Sequence, residues 1–127
     1  MKPSLDTRLI KGIDEFNERL FFECHETLEE IWLEEHGEDR LFYQGLIQVA
    51  AGYLKWEQGV LIGAIKLWRR GLEKLEAYPA VHLGVDLASL TGAARENLKE
   101  VEAAYRENAA APELTVPQII FDSGADP

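Results

Sequence analysis

Apolar residues recur at helical spacing in five stretches of this chain. Leu9, Ile13 and Phe16 mark the first, and an N-cap at Asp6 starts a helix over about 6–18. Cys24, Leu28 and Ile31, flanked by Phe21 and Trp32, predict a second helix over 21–35. The third, over 39–57, is apolar around most of its circumference, from Leu41 and Phe42 through Tyr53, Leu54 and Trp56. Such a helix belongs in the middle of a bundle. Ile62, Ile65, Trp68, Leu72 and Leu75 define a fourth helix over 61–77. Leu87, Leu90, Ala94, Leu98, Val101 and Tyr105 define a fifth over 86–106, capped by Asp86.

The breaks carry their own chemistry. Asn17-Glu18-Arg19-Leu20 reads as a tight turn, with Asn17 tolerating the left-handed conformation, in preference to a helix continuous through it. His36-Gly37 is expected to end the second helix through a left-handed glycine. Asp39 or Glu38 then opens the third with negative charge at its N-terminus. Gln58-Gly59 makes the next turn, Tyr78-Pro79 stops the fourth helix, and 80–85 is expected to be a loop. Gly45 and Gly52 share one face of the third helix and predict close approach by a neighbour. Beyond Pro112, Leu114, Val116, Ile119, Ile120 and Phe121 are too apolar for a free tail, so 113–121 should lie along the bundle or a partner. Residues 122–127 should be mobile. Residues 16–32 can also be laid on 56–72 with a shift of about forty, Phe16 on Trp56, Cys24 on Ala64 and Leu28 on Trp68. Each half then reads as a helical hairpin.

The fold expected is all-α. About five helices form two antiparallel hairpins plus a C-terminal helix in one bundle, a single domain with its core over about 6–107 and an extended tail over 108–127. A length of 127 residues suits one core, and 46% hydrophobic with 28% charged residues is ordinary for a globule. Cys24 is the only cysteine, so no intrachain disulfide is available. With no signal-like start and no apolar run long enough for a bilayer, a cytoplasmic protein without membrane association is expected.

Net charge changes the picture more. At −10 it argues against nucleic acid as a partner. It is also segregated. The stretch from Asp14 to Asp39 is rich in acids with Arg19 as its one strong base, whereas Lys66, Arg69 and Arg70 reverse the balance between Lys55 and Lys74. These are either solvated faces or faces that attract each other, within the chain or across a homodimer.

The polar chemistry concentrates between the second and third helices. His25 and Glu29 lie one turn apart, Glu26 flanks them, and Phe22 and Trp32 share their side. On the third helix Arg40, Gln44, Gln48 and Lys55 fall within one narrow sector. If the two helices pack antiparallel, His25 and Glu29 face Gln44 and Gln48. Such a cluster fits a closed structural network, a site for a small polar ligand or protein partner, or a hydrolase-like or metal-dependent enzyme. In the last, His25 is base or ligand, Glu29 orients it, and Gln44, Gln48 and Arg40 hold the substrate. Several sharper motifs fail. His25-Glu26-x-x-Glu29 lacks the second histidine of a zinc helix, and the paired Glu-x-x-His of di-iron bundles is absent. Cys24 and His25 diverge by about 100° on a helix, a poor nucleophile–base pair, and Cys24 sits on the core stripe. There is no Gly-rich phosphate loop, so no cofactor and no metal are expected.

Phe16-Asn17, Phe21-Phe22-Glu23-x-His25-Glu26-x-Leu28-Glu29-x-x-Trp32 and Arg40-x-Phe42-Tyr43-Gln44-Gly45-Leu46-Ile47-Gln48-x-Ala50-Ala51, with Gly59-x-x-x-Gly63-Ala64 and Leu67, resemble the bacterial and archaeal domain-of-unknown-function family 309. The likeness spans about residues 8–78. It implies a compact all-helical bundle with no established activity, and it places the family's shared polar and aromatic pattern at His25, Glu26, Glu29, Trp32, Arg40, Gln44 and Gln48. Arg19 stands where a turn glycine is common in that pattern, and Val60 where an asparagine is.

Overall fold

A computed structural model describes residues 5–121; the expected mobility of 122–127 concerns residues outside that range. Among the described residues the chain forms α1 (Thr7–Asn17), α2 (Phe21–Glu34), α3 (Arg40–Glu57), α4 (Leu61–Leu75), β1 (Val81–His82), β2 (Val85–Asp86) and α5 (Leu87–Arg106). The fold is all-α, as the five stripes predict. Residues 80–85, expected to be a loop, instead hold a two-residue antiparallel hairpin, Val81 opposite Asp86 and His82 opposite Val85. Two-residue strands are too short for alternation to reveal, and Gly84 at φ +78° makes the turn.

Several helix ends have a local cause, although α2, α3 and α4 start without a side-chain cap. The Asp6 carboxylate accepts from the Arg8 amide, and the Asp86 carboxylate accepts from the Ser89 amide, so both predicted N-caps form. The turn between α1 and α2 closes by Arg19 N–H donating to the Phe16 carbonyl and Leu20 N–H to that of Glu15, each at 2.8 Å. The left-handed residue is Arg19 at φ +63°, one position before the turn's end, not Asn17. The same pair of bonds closes α3 onto α4, from Gly59 to Trp56 and from Val60 to Lys55, with Gly59 at φ +77°. It recurs at the end of α5, from Asn108 to Tyr105 and from Ala109 to Ala104. These are Schellman caps, which satisfy the last carbonyls of a helix.

The forty-residue repeat is therefore a repeat of backbone as well as of pattern. It extends to the helix crossings. A Cβ on Gly12 would lie 2.8 Å from Cδ2 of Leu28, and a Cβ on Gly52 would collide with the indole of Trp68. Gly52 and Trp68 are the counterparts of Gly12 and Leu28. Gly45 and Gly71 bring α3 and α4 together again farther along, where a Cβ on Gly45 would meet Cδ2 of Leu75 at 2.7 Å. The close approach predicted for Gly45 and Gly52 is thus made by α4, and Trp68, fully buried, donates its indole N–H to the Val49 carbonyl.

α3 lies between α2 and α4, and its inner face meets α1 and α5. The Tyr53 ring packs edge-on against Phe16 of α1 at 5.6 Å, and its hydroxyl donates to Asn97 of α5 at 2.6 Å. Asn97 is one of the few buried polar residues, and the stripe reading of α5 missed it. Tyr105, assigned to that stripe, is exposed; Ala104 is buried in its place. The tail does lie along the bundle. Trp56 donates to the Pro112 carbonyl, Ile119 is buried, and Phe121 bridges to Val85. Asn17 holds Ile119 at both backbone groups, donating to its carbonyl at 2.9 Å and accepting from its amide at 2.7 Å.

Candidate functional site

α2 presents its acidic edge beside α3 because its buried arc, Phe21, Cys24, Leu28 and Ile31, is used against the core. His25 and Glu29 follow at the border of that arc. Their Nε2 and Oε2 atoms are 3.4 Å apart, and both side chains keep about a third to a half of their exposure. The Phe22 ring lies 6.2 Å from the imidazole and is itself half exposed. Glu26 is exposed.

Across from this edge, Glu29, Trp32, Gln44, Ile47 and Gln48 line an open groove of about 130 Å³ between α2 and α3. The antiparallel packing predicted from the short connection brings Glu29 to Gln44 and Gln48. His25 stands one turn outside the groove and reaches it only through Glu29. A residue absent from the sequence-based cluster joins it: Lys74 of α4 donates to Gln48 Oε1 at 2.9 Å. Its signal lay in the basic run of α4, but nothing in one sequence ties a lysine to a glutamine on another helix.

Arg40 does not face the groove. Its Nη1 donates to the carbonyls of Trp32 at 2.8 Å and Glu35 at 2.7 Å, and its guanidinium stacks 4.1 Å from the Trp32 ring centroid. These bonds do the capping that the sequence pattern predicts for Gly37. Glu35, the residue after α2, is extended at ψ 121°, and Gly37 is not among the residues with positive φ. A five-donor guanidinium held over an indole satisfies the orphan carbonyls without a left-handed turn. Arg40 therefore fixes Trp32 and the α2–α3 connection. The Trp32 indole nitrogen is itself buried and has no partner among the described residues.

Three further reactive side chains, Cys24, Arg8 and His82, are tied down. Burial, with Glu15 nearby, pushes the Cys24 thiol up to about 12. At neutral pH it is a protonated core side chain, not a nucleophile. Arg8 bridges Asp6 and Glu34, joining α1 to the end of α2, and its hydrogen bonds hold both carboxyls below their ordinary values. His82 sits against Phe42 and Tyr78, with Nε2 2.7 Å from Asp39, and fastens the β-hairpin to the start of α3. Among the described residues no three His, Cys, Asp or Glu side chains gather so as to hold a metal ion. No helix among them is long and apolar enough to cross a membrane.

Residues 9–67 match the model of DUF309, a domain of unknown function. That stretch covers most of α1, all of α2 and α3 and the first turns of α4, and so every residue on which the likeness was read between Phe16 and Leu67. Lys74 and α5 lie beyond it. No curated protein matches the chain.

Proposed function

We propose that the chain is a small recognition module, one domain whose working surface is the outer face of α2, α3 and α4 around the Glu29 groove. The observation that carries this reading is that Glu29, Trp32, Gln44 and Gln48 line an open groove in which polar capacity remains. Gln44 makes no side-chain hydrogen bond to any described residue, and among them Glu29 has a polar partner in His25 alone. A closed network would have used these groups on one another, because buried polar atoms are paired in folded proteins. The groove is small beside the roughly 300–1,000 Å³ of ordinary small-molecule sites. It suits a single side chain of a partner protein, or a fragment-sized polar ligand, better than an enclosed substrate. His25, Glu26, Glu29, Trp32, Gln44 and Gln48 are the contact residues in this reading, with Arg40 supporting Trp32 from behind.

The hydrolase-like alternative, with His25 as base and Glu29 as its orienting carboxylate, has the 3.4 Å pair in its favour. Its nucleophile would be a water that His25 deprotonates or a neighbouring side chain. The adjacent thiol, Cys24, is buried on another flank of the helix.

Replacing Glu29 and Gln48 together by alanine tests the recognition reading. Exposed or half-exposed groups used for binding contribute little to the fold, so the double variant should unfold within about 1 kcal/mol of wild type. A loss of several kcal/mol in urea denaturation would mark the cluster as a structural network and overturn the proposal.

A further inference from the structure

The recognition face carries opposite charges on its two sides. On α2, Glu26 and Glu30 are exposed and have no ion-pair partner among the described residues. On α4, Lys66 and Arg70 are likewise exposed and unpaired among them. The neighbouring charges of α4 and of Glu76, the residue that follows it, are engaged elsewhere: Arg69 with Glu102 and Glu76 with Arg95 of α5, and Lys74 with Gln48. Glu73 lies in the groove toward α5 with Arg95 and Lys99.

The internal repeat sets these charges at matching heights. The α1–α2 and α3–α4 turns lie at the same end of the molecule, where Arg19 pairs with Glu57 at 3.3 Å and covers the Trp56 ring. α2 begins at Phe21 and α4 at Leu61, both from the same turn geometry. A residue of α2 and the residue forty positions later in α4 therefore stand at the same level. Glu26 is level with Lys66, and Glu30 with Arg70.

We infer that the partner of this face is a second copy of the chain, related by a two-fold axis parallel to α3; this rests on the recognition face proposed above. Such an axis keeps every residue at its height and exchanges left for right. α2 of one copy then lies over α4 of the other, Glu26 opposite Lys66 and Glu30 opposite Arg70, and the contact is made twice because the interface is isologous. An axis across α3 would instead lay α2 on α2, glutamate against glutamate, which opposes association.

The residues on the axis fit as well. Gln44, Gln48 and Ala51 of α3 would meet their own copies, and an amide carries both donor and acceptor, so a glutamine pairs with itself. The two cations of this face of α3 leave the axis. Arg40 is bound to the end of α2, and the Lys55 stem leans toward Gly63 of α4. The half-exposed Phe22, Leu33 and Leu41 supply apolar area around the seams. Three helices of this length side by side present a face of roughly 20 by 25 Å, at the low end for a specific contact. Association is accordingly expected in the micromolar range and should weaken with salt.

Sedimentation velocity on the full chain, over micromolar to submillimolar protein at low and high salt, tests this. The wild type should dimerise. Glu26→Lys with Glu30→Lys, or Lys66→Glu with Arg70→Glu, should each weaken the dimer at least tenfold with the helical circular dichroism unchanged. Mixing the two variants should restore a one-to-one dimer, because both seams then join opposite charges again. A monomeric wild type, a dimer indifferent to either reversal, or a mixture that stays monomeric would overturn the inference. Association is read here and stability in the Glu29 and Gln48 test, so a failed dimer leaves the result on the recognition face standing on its own.

Discussion

In the hairpin of α1 and α2, Gly12 faces Leu28; forty residues later, in the hairpin of α3 and α4, Gly52 faces Trp68. In the first turn Arg19 occupies the left-handed position, and in the second Gly59 does. The backbone is the same in both places, but the tolerance for side chains is not. The first hairpin has a flexible leucine at its crossing and carries an unfavourable backbone position held by outside contacts. The second has a rigid indole at its crossing and an unstrained turn. One backbone plan can thus place its strictest requirements at different points.

The largest expected effect comes from closing the crossings. Gly52→Ala drives a methyl into a fully buried indole that has no room to retreat, and should cost about 3 kcal/mol in urea unfolding, near the top of the range for overpacking. Gly12→Ala meets Cδ2 and Cγ of Leu28 at 2.8 and 3.0 Å, a buried but more flexible side chain than an indole, and the roughly 1 kcal/mol gain in helix propensity offsets part of the crowding, so its cost should stay well below that of Gly52→Ala. Equal costs would show that the two crossings are equally tight.

The turns should rank the two hairpins in the same order, with smaller effects. Gly59→Ala forces a Cβ into the left-handed region and should destabilise by about 1–2 kcal/mol. Arg19→Gly removes a similar strain. It also removes the contacts of Arg19 with Glu57 and Trp56, each worth up to about 1 kcal/mol at an exposed site. Its melting temperature should stay close to that of wild type. A marked loss on Arg19→Gly would mean that these contacts, more than the turn, hold the two hairpins together.

The smallest effect belongs to the edge of the first hairpin, where Arg8 lowers the carboxyl values of Asp6 and Glu34. A carboxyl held below its unfolded value stabilises the fold above that value and loses its contribution as pH falls through the folded one. The model-compound values are 3.8 and 4.5, so the contribution is present at pH 6 and fades below about pH 4. Arg8→Met should flatten that part of the stability profile in thermal melts taken between pH 6 and pH 3. A profile unchanged by the substitution would assign the acid sensitivity to other groups.

Much of this was legible in the chain itself. Stripes at helical spacing, Asp6 and Asp86 as caps, the buried Cys24 and the apolar tail each report a local requirement, and local requirements are written locally. The repeat was visible at Phe16, Cys24 and Leu28 because both hairpins bury the same positions. The turn residue was misplaced, since Asn17 has the better propensity while the hydrogen bonds to Glu15 and Phe16 put Arg19 in the left-handed position. Arg40 was assigned to the groove because helical spacing fixes where a side chain begins and not where a long one ends. Asn97 and Lys74 escaped for a related reason. Their partners, Tyr53 and Gln48, stand on other helices, and one sequence carries no record of that pairing.

The double hold of Asn17 on Ile119 spans 102 residues. It gives the end of the first helix a partner that is synthesised 102 residues later. During synthesis both hairpins can form as soon as they emerge, since their contacts are close in sequence, but the tie from Asn17 to Ile119 waits for the tail. Until then Val85 lacks its bridge to Phe121, and the side of the bundle on which Ile119 is buried stays open to solvent. The tail acts as a closing clasp, and refolding should show a fast phase for the hairpins followed by a slower one in which that side is shut.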